Sequence, residues 1–378
     1  MDNLTHSMVG LVVAKAGLGR LSPYATAACV LAANAPDVDV LTRLRGQWVA
    51  LEQHRGVTHS VVGTLALGLL LPLACFALER LITRLGGWTP RIRLKGLTLA
   101  TVAACATHPV LDWLNSYGVR PLLPWDGRWV YGDILFVLDP WVWLLLGGAA
   151  FLLTVRGRRW RLVLWGAFAL VLTLAVLTVA RAGGLSGRAR VLWCVGLALI
   201  LLAWRVRLAE RLGARLAHGA LALFVAYCVA LAALHAVALR RAGAAGAELA
   251  RARGESVLRV AAMPTLADPT GWQSVVETDA AYYRFETRLA AGATGAPAQF
   301  ARFEKPSAAQ AAQVARAEQD WRARVFLGFA RFPAVRLQPA DAGATRVQFA
   351  DLRFAAPDQA RNSGRAFALE VLVESSDE

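Results

Sequence analysis

The stretch that decides the fold is a histidine-containing segment followed directly by a long apolar run. Residues 54–78 read HRGVTHSVVGTLALGLLLPLACFAL. The apolar part, 58–78, is long enough to cross a hydrocarbon core of about 30 Å at a helical rise of about 1.5 Å per residue. Residues 4–10 read LTHSMVG, which nearly repeats the VTHSVVG of residues 57–63. A chain with only six histidines thus places two of them where a hydrophobic run begins.

The composition is that of a polytopic membrane protein. Of the 378 residues, 57% are hydrophobic and 18% are charged, and the mean hydropathy is +0.44. These values exclude an ordinary soluble enzyme of this length. Membrane helices are predicted near 58–78, 97–115, 135–155, 162–180, 191–204 and 217–239. Two shorter runs, 8–18 and 24–35, predict a helical hairpin that either spans the membrane or re-enters it.

The net charge of +15 comes mainly from arginines in the loops between the apolar runs. Basic residues number five in loop 79–96, four in 156–161 and four in 205–215, against two in 116–134 and three in 181–190. The positive-inside rule puts the first set in the cytoplasm. We therefore expect a multi-pass protein of the bacterial inner membrane, with the C-terminal domain on the periplasmic side and no nucleic-acid partner.

The N-terminus does not have the features of a cleaved signal peptide. Asp2 stands where a basic region is expected, and no small-residue cleavage site follows the first apolar run. We expect this segment to be retained.

The character of the chain changes after Leu239. An Ala/Gly-rich linker is predicted at 241–254, followed by segments such as WQSVVETD and YYRFETRL, whose polar and apolar residues alternate as in half-buried strands. The stretch 306–324 predicts one helix. The prediction is a polytopic α-helical membrane domain of about six to eight helices, 1–240, followed by a small soluble, mostly antiparallel α+β domain, 255–378. The latter contains no histidine, and we expect it to act in packing or substrate presentation.

Four of the six histidines lie in the first 112 residues, with aspartates beside them. His108 and Asp112 are four residues apart and would share one helix face, a spacing that suits two ligands of one metal ion. The motif APDVD places Asp37 and Asp39 after a proline at the end of an apolar run. Three Thr-His pairs, at 5–6, 58–59 and 107–108, predict histidines at helix starts, with His54 on the approach to His59.

The predicted topology brings these side chains to one membrane face, because successive spans run in opposite directions. We predict a metal site there. The candidate ligands are His6, Asp37, His54, His59, His108 and Asp112. His/Asp ligation favours Zn²⁺, with Mn²⁺ and Fe²⁺ open. Purely structural polar roles and a proton or ion pathway remain the alternatives, since ionisable residues near membrane spans are costly and seldom without function.

Three further residues are candidates for catalysis. The stretch RWVYGDILFVLDPWVW, residues 128–143, places Asp133 at the start of an apolar run on the predicted site face. Either Asp39 or Asp133 could serve as a general base, and Arg55 could hold an anionic substrate group. The aromatic residues of this stretch are typical of an interfacial belt.

At these motifs the chain resembles the LexA-regulated inner-membrane metal-dependent hydrolase family (YdjM-like). The matching motifs are THSMVG, APDVD, HRGVTHS, THPVLDWLNSYG and RWVYGDILFVLDPWVW, which cover about residues 1–145, with a later likeness at 263–283. A more distant similarity is to zinc-dependent phospholipase C. That analogy would assign His6 with Asp37 to one metal, and His59 or His54 with His108 and Asp112 to another. The later His and Glu ligands of that group have no counterpart here, so we expect one or two metals.

The function that the resemblance implies is a membrane-bound metal-dependent hydrolase in which a metal-activated water attacks a phosphodiester or an ester. The location at a membrane makes membrane lipids the expected partners and a lipid or lipid-linked molecule the expected substrate. A non-enzymatic transporter or metal sensor that uses the same His/Asp cluster is the alternative interpretation.

Overall fold

The computed structural model describes residues 1–155, 159–181, 186–289, 299–340, 343–357 and 367–374. The basic loops 156–161 and 181–190 and the C-terminal end of the predicted second domain lie partly outside the described residues. The chain divides into two compact units. The first comprises Met1–Val38, Arg55–Ala232 and Thr265–Asp268, and the second Asp39–His54, Ala233–Pro264 and the described residues from Pro269 onward.

The helices are numbered in chain order. They are α1 (Asn3–Ala16), α2 (Ala25–Asn34), α3 (Gln47–Gln53), α4 (Val61–Gly86), α5 (Leu94–Trp113), α6 (Pro140–Thr154), α7 (Arg159–Arg181), α8 (Gly187–Arg205), α9 (Leu208–Leu212), α10 (Ala214–Arg251), α11 (Ala308–Ala317) and α12 (Trp321–Phe329). Two 3₁₀ segments, Ala35–Arg45 and Val57–His59, flank α3.

Within the described ranges, five helices are long and apolar enough to span a membrane, namely α4, α5, α7, α8 and α10. This confirms the predicted helical membrane part. The run 135–155 is shorter than expected, because its helix begins only at Pro140, where the Asp139 carboxylate accepts hydrogen bonds from the amides of Trp141 and Val142. A π-helical turn, Trp143–Gly147, interrupts α6.

The segment expected to be a linker, 241–254, is helical as far as Arg251. Alanine has the highest helix propensity, and this stretch is rich in it. Ala242 and Ala245 also pack against the buried Val276 and Tyr283 of the sheet that follows. The segment therefore continues α10 because it contributes to a hydrophobic core.

Small residues hold α1, α2, α4 and α5 together. The core between α2 and α5 is built from alanines and cysteines such as Cys29 and Cys105. A Cβ atom added at Gly10 of α1 would lie 2.8 Å from the Cys29 carbonyl oxygen, and one at Gly68 of α4 would lie 3.0 Å from Cα of Val102. Small residues permit such close approach of membrane helices. The packing fixes the positions of α1 and α5, which carry His6 and His108, and of α4, whose start follows His59.

The second unit is a small α+β domain with antiparallel pairing, as predicted. Its strands are β1 (Val257–Thr265), β2 (Asp268–Thr278), β3 (Ala281–Arg288), β4 (Ala301–Glu304), β5 (Pro333–Pro339), β6 (Thr345–Asp351) and β7 (Ala368–Val373). They form a four-stranded sheet in the order β1-β2-β3-β4 and a three-stranded sheet in the order β5-β6-β7.

Two details of this domain differ from the prediction. The single helix expected at 306–324 is two helices, α11 and α12, because the Asp320 carboxylate accepts from the Arg322 amide and starts a new helix. Strand β2 is not half-buried. Val275 and Val276, on opposite faces, are both fully buried, the first against Phe332 and Leu352 and the second against α10.

Candidate metal centre

His59 is positioned by the motif VTHSVVG, residues 57–63. It ends the 3₁₀ turn before α4, and Ser60 caps the helix by accepting from the Gly63 amide (3.1 Å) and donating to the Val57 carbonyl (2.8 Å). A Cβ atom at Gly63 would lie 1.8 Å from that same carbonyl oxygen. The serine and the glycine of VTHSVVG therefore fold the turn tightly onto the helix and bury His59.

The similar heptad LTHSMVG builds a different local structure. Its helix starts earlier, at Asn3, where the Asp2 carboxylate accepts from the amide and the hydroxyl of Thr5. His6 therefore lies within α1, and His108 lies near the end of α5, which continues through Pro109 to Trp113. The prediction of histidines at three helix starts holds for His59, before α4, and for His6, in the first turn of α1, and is wrong for His108.

Four predicted ligands come together as one group, Asp37, His59, His108 and Asp112, whose ligand atoms all lie within 4.8 Å of one another. The Nε2 atoms of His59 and His108 are 3.0 Å apart. The carboxylate oxygens of Asp37 and Asp112 each lie 3.3 Å from His59 Nε2 and 3.5 Å from His108 Nε2. Four ligands at about 2.0–2.1 Å from a tetrahedral Zn²⁺ are separated by about 3.3 Å. The spacing therefore fits a metal ion of this size.

The hydrogen bonds of the imidazoles favour a cation between these atoms. His108 Nδ1 donates to the Ala33 carbonyl (2.7 Å), so Nε2 of the neutral ring is an acceptor. Nδ1 of His59 is 3.1 Å from the Thr58 hydroxyl. With both rings neutral, at most one proton is available to four facing atoms, two of which belong to carboxylates. A metal ion would be the common partner of these facing acceptor atoms, and partners on the far nitrogen are what orient metal-binding histidines.

Asp112 is bound on both of its oxygens. One faces the two imidazoles, and the other accepts from Arg55 Nη2 (3.0 Å), contacts the amino group of Met1 and lies 3.3 Å from His6 Nε2. The carboxylate is almost fully buried. These contacts fix the direction of the oxygen that faces His59 and His108.

His6 belongs to the surroundings of the four-ligand group. Its ring stacks on that of His108, with 3.7 Å between centroids and 10° between planes. Burial lowers the pKa of His6 to about 4, so its imidazole is neutral at pH 7. Its Nδ1 finds no hydrogen-bond partner among the described residues. The geometry makes His6 a neighbour of the ligands rather than one of the four.

Asp37 is the most exposed member of the group. Its second oxygen accepts from the Asn3 side-chain amide (2.9 Å). Burial alone would raise the pKa of this carboxyl, but its contacts with the His108 and His59 imidazoles outweigh burial and hold the pKa well below the ordinary value. Asp37 is therefore ionised at neutral pH, the form that binds metals.

Arg55, predicted to hold a substrate anion, binds groups of the protein itself. The side chain is buried, and besides Asp112 it donates to Asn115 Oδ1 (3.0 Å) and to the Gly118 carbonyl (3.1 Å). The guanidinium also lies 4.6 Å from the centre of the Tyr117 ring. Arg55 thus orients Asp112. The fully buried Asn115, to which the sequence analysis gave no role, supports Arg55, and its position three residues after Asp112 was the available signal.

The remaining predicted residues, Asp39, His54 and Asp133, are not members of the four-residue group. Asp39 and His54 belong to the second unit, where His54 Nδ1 is 3.2 Å from the Asp39 carboxylate. Neither is part of the four-residue group. Asp133 is buried, with a φ of +52°, in a loop joined to the end of α5 by hydrogen bonds from Gly132 to the Trp113 carbonyl and from Ile134 to the Leu114 carbonyl, each 2.7 Å. These hydrogen bonds attach the loop to the chain immediately after Asp112, which lies in the last turn of α5.

Comparison with known proteins agrees with the motifs. Residues 1–184 match the family described as YdjM inner membrane protein, which confirms the resemblance of this part of the chain to that family. A protein of Bacillus subtilis (strain 168), described as uncharacterized protein YfhP, is 27% identical over 154 residues. That match covers 38% of this chain and 43% of the relative, so it spans less than half of either. No solved structure matches the chain. The likeness to zinc-dependent phospholipase C stays a prediction.

Proposed function

We propose that this membrane protein is a metal-dependent hydrolase whose single metal ion is held by Asp37, His59, His108 and Asp112. The observation that carries the proposal is the set of four buried or half-buried ligand atoms that all lie within 4.8 Å of one another, with the two imidazole Nε2 atoms 3.0 Å apart. Zn²⁺ suits this donor set best, with Mn²⁺ and Fe²⁺ as the next candidates.

The chemistry that such an ion supplies is to lower the pKa of a coordinated water to about 7 and to polarise a phosphoryl or carbonyl oxygen. The protein's own residues then act in orientation. The Ala33 carbonyl holds the His108 ring, and Arg55 holds Asp112. We retain Asp133 as the candidate general base, because its loop is bonded to the end of α5, whereas Asp39 pairs with His54.

The proposed substrate class is a lipid or lipid-linked phosphodiester or ester. His59 directly precedes α4, while His108 and Asp112 lie in the last two turns of α5, and both helices are long and apolar enough to span the membrane. A site at the ends of two such helices lies at the depth of lipid headgroups. A substrate dissolved in the bilayer reaches it without leaving the membrane.

The periplasmic location of the C-terminal domain is also part of the proposal. It follows from the arginine-rich loops 79–96 and 205–215, which the positive-inside rule places in the cytoplasm. A phosphatase reporter fused after residue 374 should be active in the periplasm, and a cytoplasmic reporter at the same point should be silent. The opposite pattern would reverse the orientation.

The central test measures metal and turnover in the same preparations. The purified full-length protein should contain about one equivalent of metal by elemental analysis, and His108→Ala and Asp112→Asn should lose it. His218→Ala, which changes an exposed histidine of α10, is the matched control and should keep the metal. Hydrolysis of a panel of phospholipids and a generic phosphodiester should disappear in the same two variants.

The outcomes separate the competing interpretations. Full metal content in both variants would overturn the assignment of the site. Metal in the wild type without hydrolysis of any substrate would overturn the enzyme and favour a transporter or sensor. In that case, metal flux into proteoliposomes that depends on His59 would identify transport.

A further inference from the structure

A second candidate site lies among helices that the metal centre does not use. Helices α6, α7 and α8, with Met8 of α1, line an apolar cleft of about 280 Å³. All of its lining residues are apolar, and they include Phe151, Trp165 and Ile200. A Cβ atom added at Gly166 of α7 would meet nothing within 4 Å, so one wall of this cleft is open space. A hydrocarbon chain suits such a cleft.

A basic cavity of about 430 Å³ lies beside this cleft at the ends of the same helices. Arg159 begins α7, Arg205 ends α8 and Arg207 follows in the connection to α9. All three line the cavity together with one acid, Glu210, which leaves an excess of two positive charges. Among the described residues, none of the three guanidinium groups forms an ion pair or a hydrogen bond. These donors are available to an anion.

The basic cavity and the apolar cleft are adjacent. Leu162 of α7 lines both. Leu152 and Val155, in the basic cavity, belong to the same packed cluster as Phe151 and Trp165 of the cleft. A ligand that fits both must therefore carry an anionic group at one end and a hydrocarbon chain at the other.

We propose that α6, α7 and α8 form a binding site for an anionic phospholipid. Its phosphate headgroup lies among Arg159, Arg205 and Arg207, and one acyl chain lies in the apolar cleft. Guanidinium groups bind phosphate oxygens in bidentate geometry, and basic pockets between membrane helices recognise anionic headgroups. The arginines belong to the loops that the positive-inside rule places at the cytoplasmic face, where anionic lipids attract basic segments. The site is independent of the proposed hydrolysis.

The headgroup is tested with two matched arginine pairs at opposite ends of α8. Arg205→Gln with Arg207→Gln removes two charges from the cavity, and Arg188→Gln with Arg190→Gln removes two exposed charges at the other end. Phosphatidylglycerol is titrated into the full-length protein in neutral detergent, and bound lipid is counted by native mass spectrometry. The first pair should weaken binding about tenfold, and the second should leave it unchanged. Phosphatidylcholine with the same chains should bind more weakly to the wild type.

The acyl chain is tested by filling the cleft. Gly166→Trp places a large ring in the open space, while Gly219→Trp, at another glycine of a membrane helix with nothing within 4 Å, is the control. Only the first should abolish binding of phosphatidylglycerol.

Equal weakening by the two arginine pairs would overturn the site in favour of unspecific charge attraction. Binding that survives Gly166→Trp and is displaced by millimolar inorganic phosphate would overturn the lipid in favour of a free anion. Unchanged metal content in each variant shows that the fold is intact.

Discussion

The two units of the molecule bury acidic side chains in opposite ways. In the second unit, Asp351 and Arg353 are both fully buried and pair with each other, and the guanidinium also donates to the Phe329 carbonyl (3.0 Å) and lies over the Phe329 and Phe354 rings. In the first unit, Asp37 faces the Nε2 atoms of His59 and His108 and pairs with no arginine or lysine among the described residues. The first arrangement, a closed cluster, neutralises its own charge, and the second, an open cluster, suits the metal ion proposed above.

Other acids of the second unit follow the same pattern as Asp351. Glu277 binds Arg259 and Lys305, and Glu255 binds Arg302. Burial of a carboxylate is therefore a poor indicator of a metal site by itself. The stronger indicator is a group of acceptors that lack enough protons or cations among their own neighbours.

The largest predicted effect concerns the buried pair of Asp351 and Arg353. Arg353→Ala leaves the fully buried Asp351 without its cation, which should destabilise the second unit by about 3–5 kcal/mol. Hydrogen exchange of β6 in the full-length protein measures the loss as a lower free energy of opening. Metal content should stay at the wild-type value. A variant that lost metal as well would show that the two clusters are not independent.

Metal removal should have the next largest effect, and it should act only through the cluster of Asp37, His59, His108 and Asp112. Chelation removes a ligand that binds the folded state, worth about 2.7 kcal/mol at a metal concentration 100 times the Kd. The thermal unfolding temperature of the detergent-solubilised protein should therefore fall when chelator is added and recover with Zn²⁺. His59→Ala should not respond to either addition, whereas His218→Ala should respond as the wild type does. A response retained by His59→Ala would contradict the proposed ligand set.

Arg55 offers a smaller change, because it orients a ligand without being one. Arg55→Gln removes the charge that holds Asp112 and should weaken Zn²⁺ binding about 10- to 100-fold, as loss of such supporting contacts typically does. Competition with a chromophoric chelator measures the affinity. Arg128→Gln, which breaks an exposed pair with Asp126, is the control and should leave the affinity unchanged. If the two variants behave alike, Arg55 has no positioning role.

Much of the membrane part was predictable because it depends on local properties of the chain. The lengths of the apolar runs predicted α4, α5, α7, α8 and α10. The errors at α6 and at the linker 241–254 arose where a single cap, Asp139, or packing against a distant sheet set the boundary. Neither feature is visible in hydropathy.

The site divides along the same line. The spacing of His108 and Asp112 predicted a contact within one helix, and these side chains are 3.5 Å apart. The role of Arg55 was not predictable, because its partners Asp112, Asn115 and Gly118 lie 57 to 63 residues further along the chain. His54 is adjacent to Arg55 in sequence, but it pairs with Asp39. That partner was not predictable either, because it depends on the path of the chain and not on the spacing of the two residues.

The smallest predicted effect comes from titrating Glu255, an acid of the second unit whose charge is balanced by Arg302. Burial alone would raise the pKa of Glu255, but hydrogen bonds from Thr278, Arg302 and Tyr283 outweigh it and lower the pKa. A lowered folded-state pKa contributes stability above the ordinary glutamate pKa of about 4.3, and the contribution is lost as the pH falls through the folded value. Glu255→Gln should therefore cost about 1 kcal/mol at pH 7.

Hydrogen exchange of β3, compared between variant and wild type at each pH so that intrinsic rates cancel, measures this cost. The difference should shrink as the pH falls from about 4.3 towards the lowered folded-state pKa, where the wild-type carboxylate is protonated and no longer pairs with Arg302. Glu286→Gln removes an exposed acid from the same strand and should show little cost at any pH. A Glu255→Gln difference that stayed constant from pH 7 to pH 3 would mean that shape, and not charge, makes this residue stabilising, and the distinction between closed and open clusters would then not rest on charge balance.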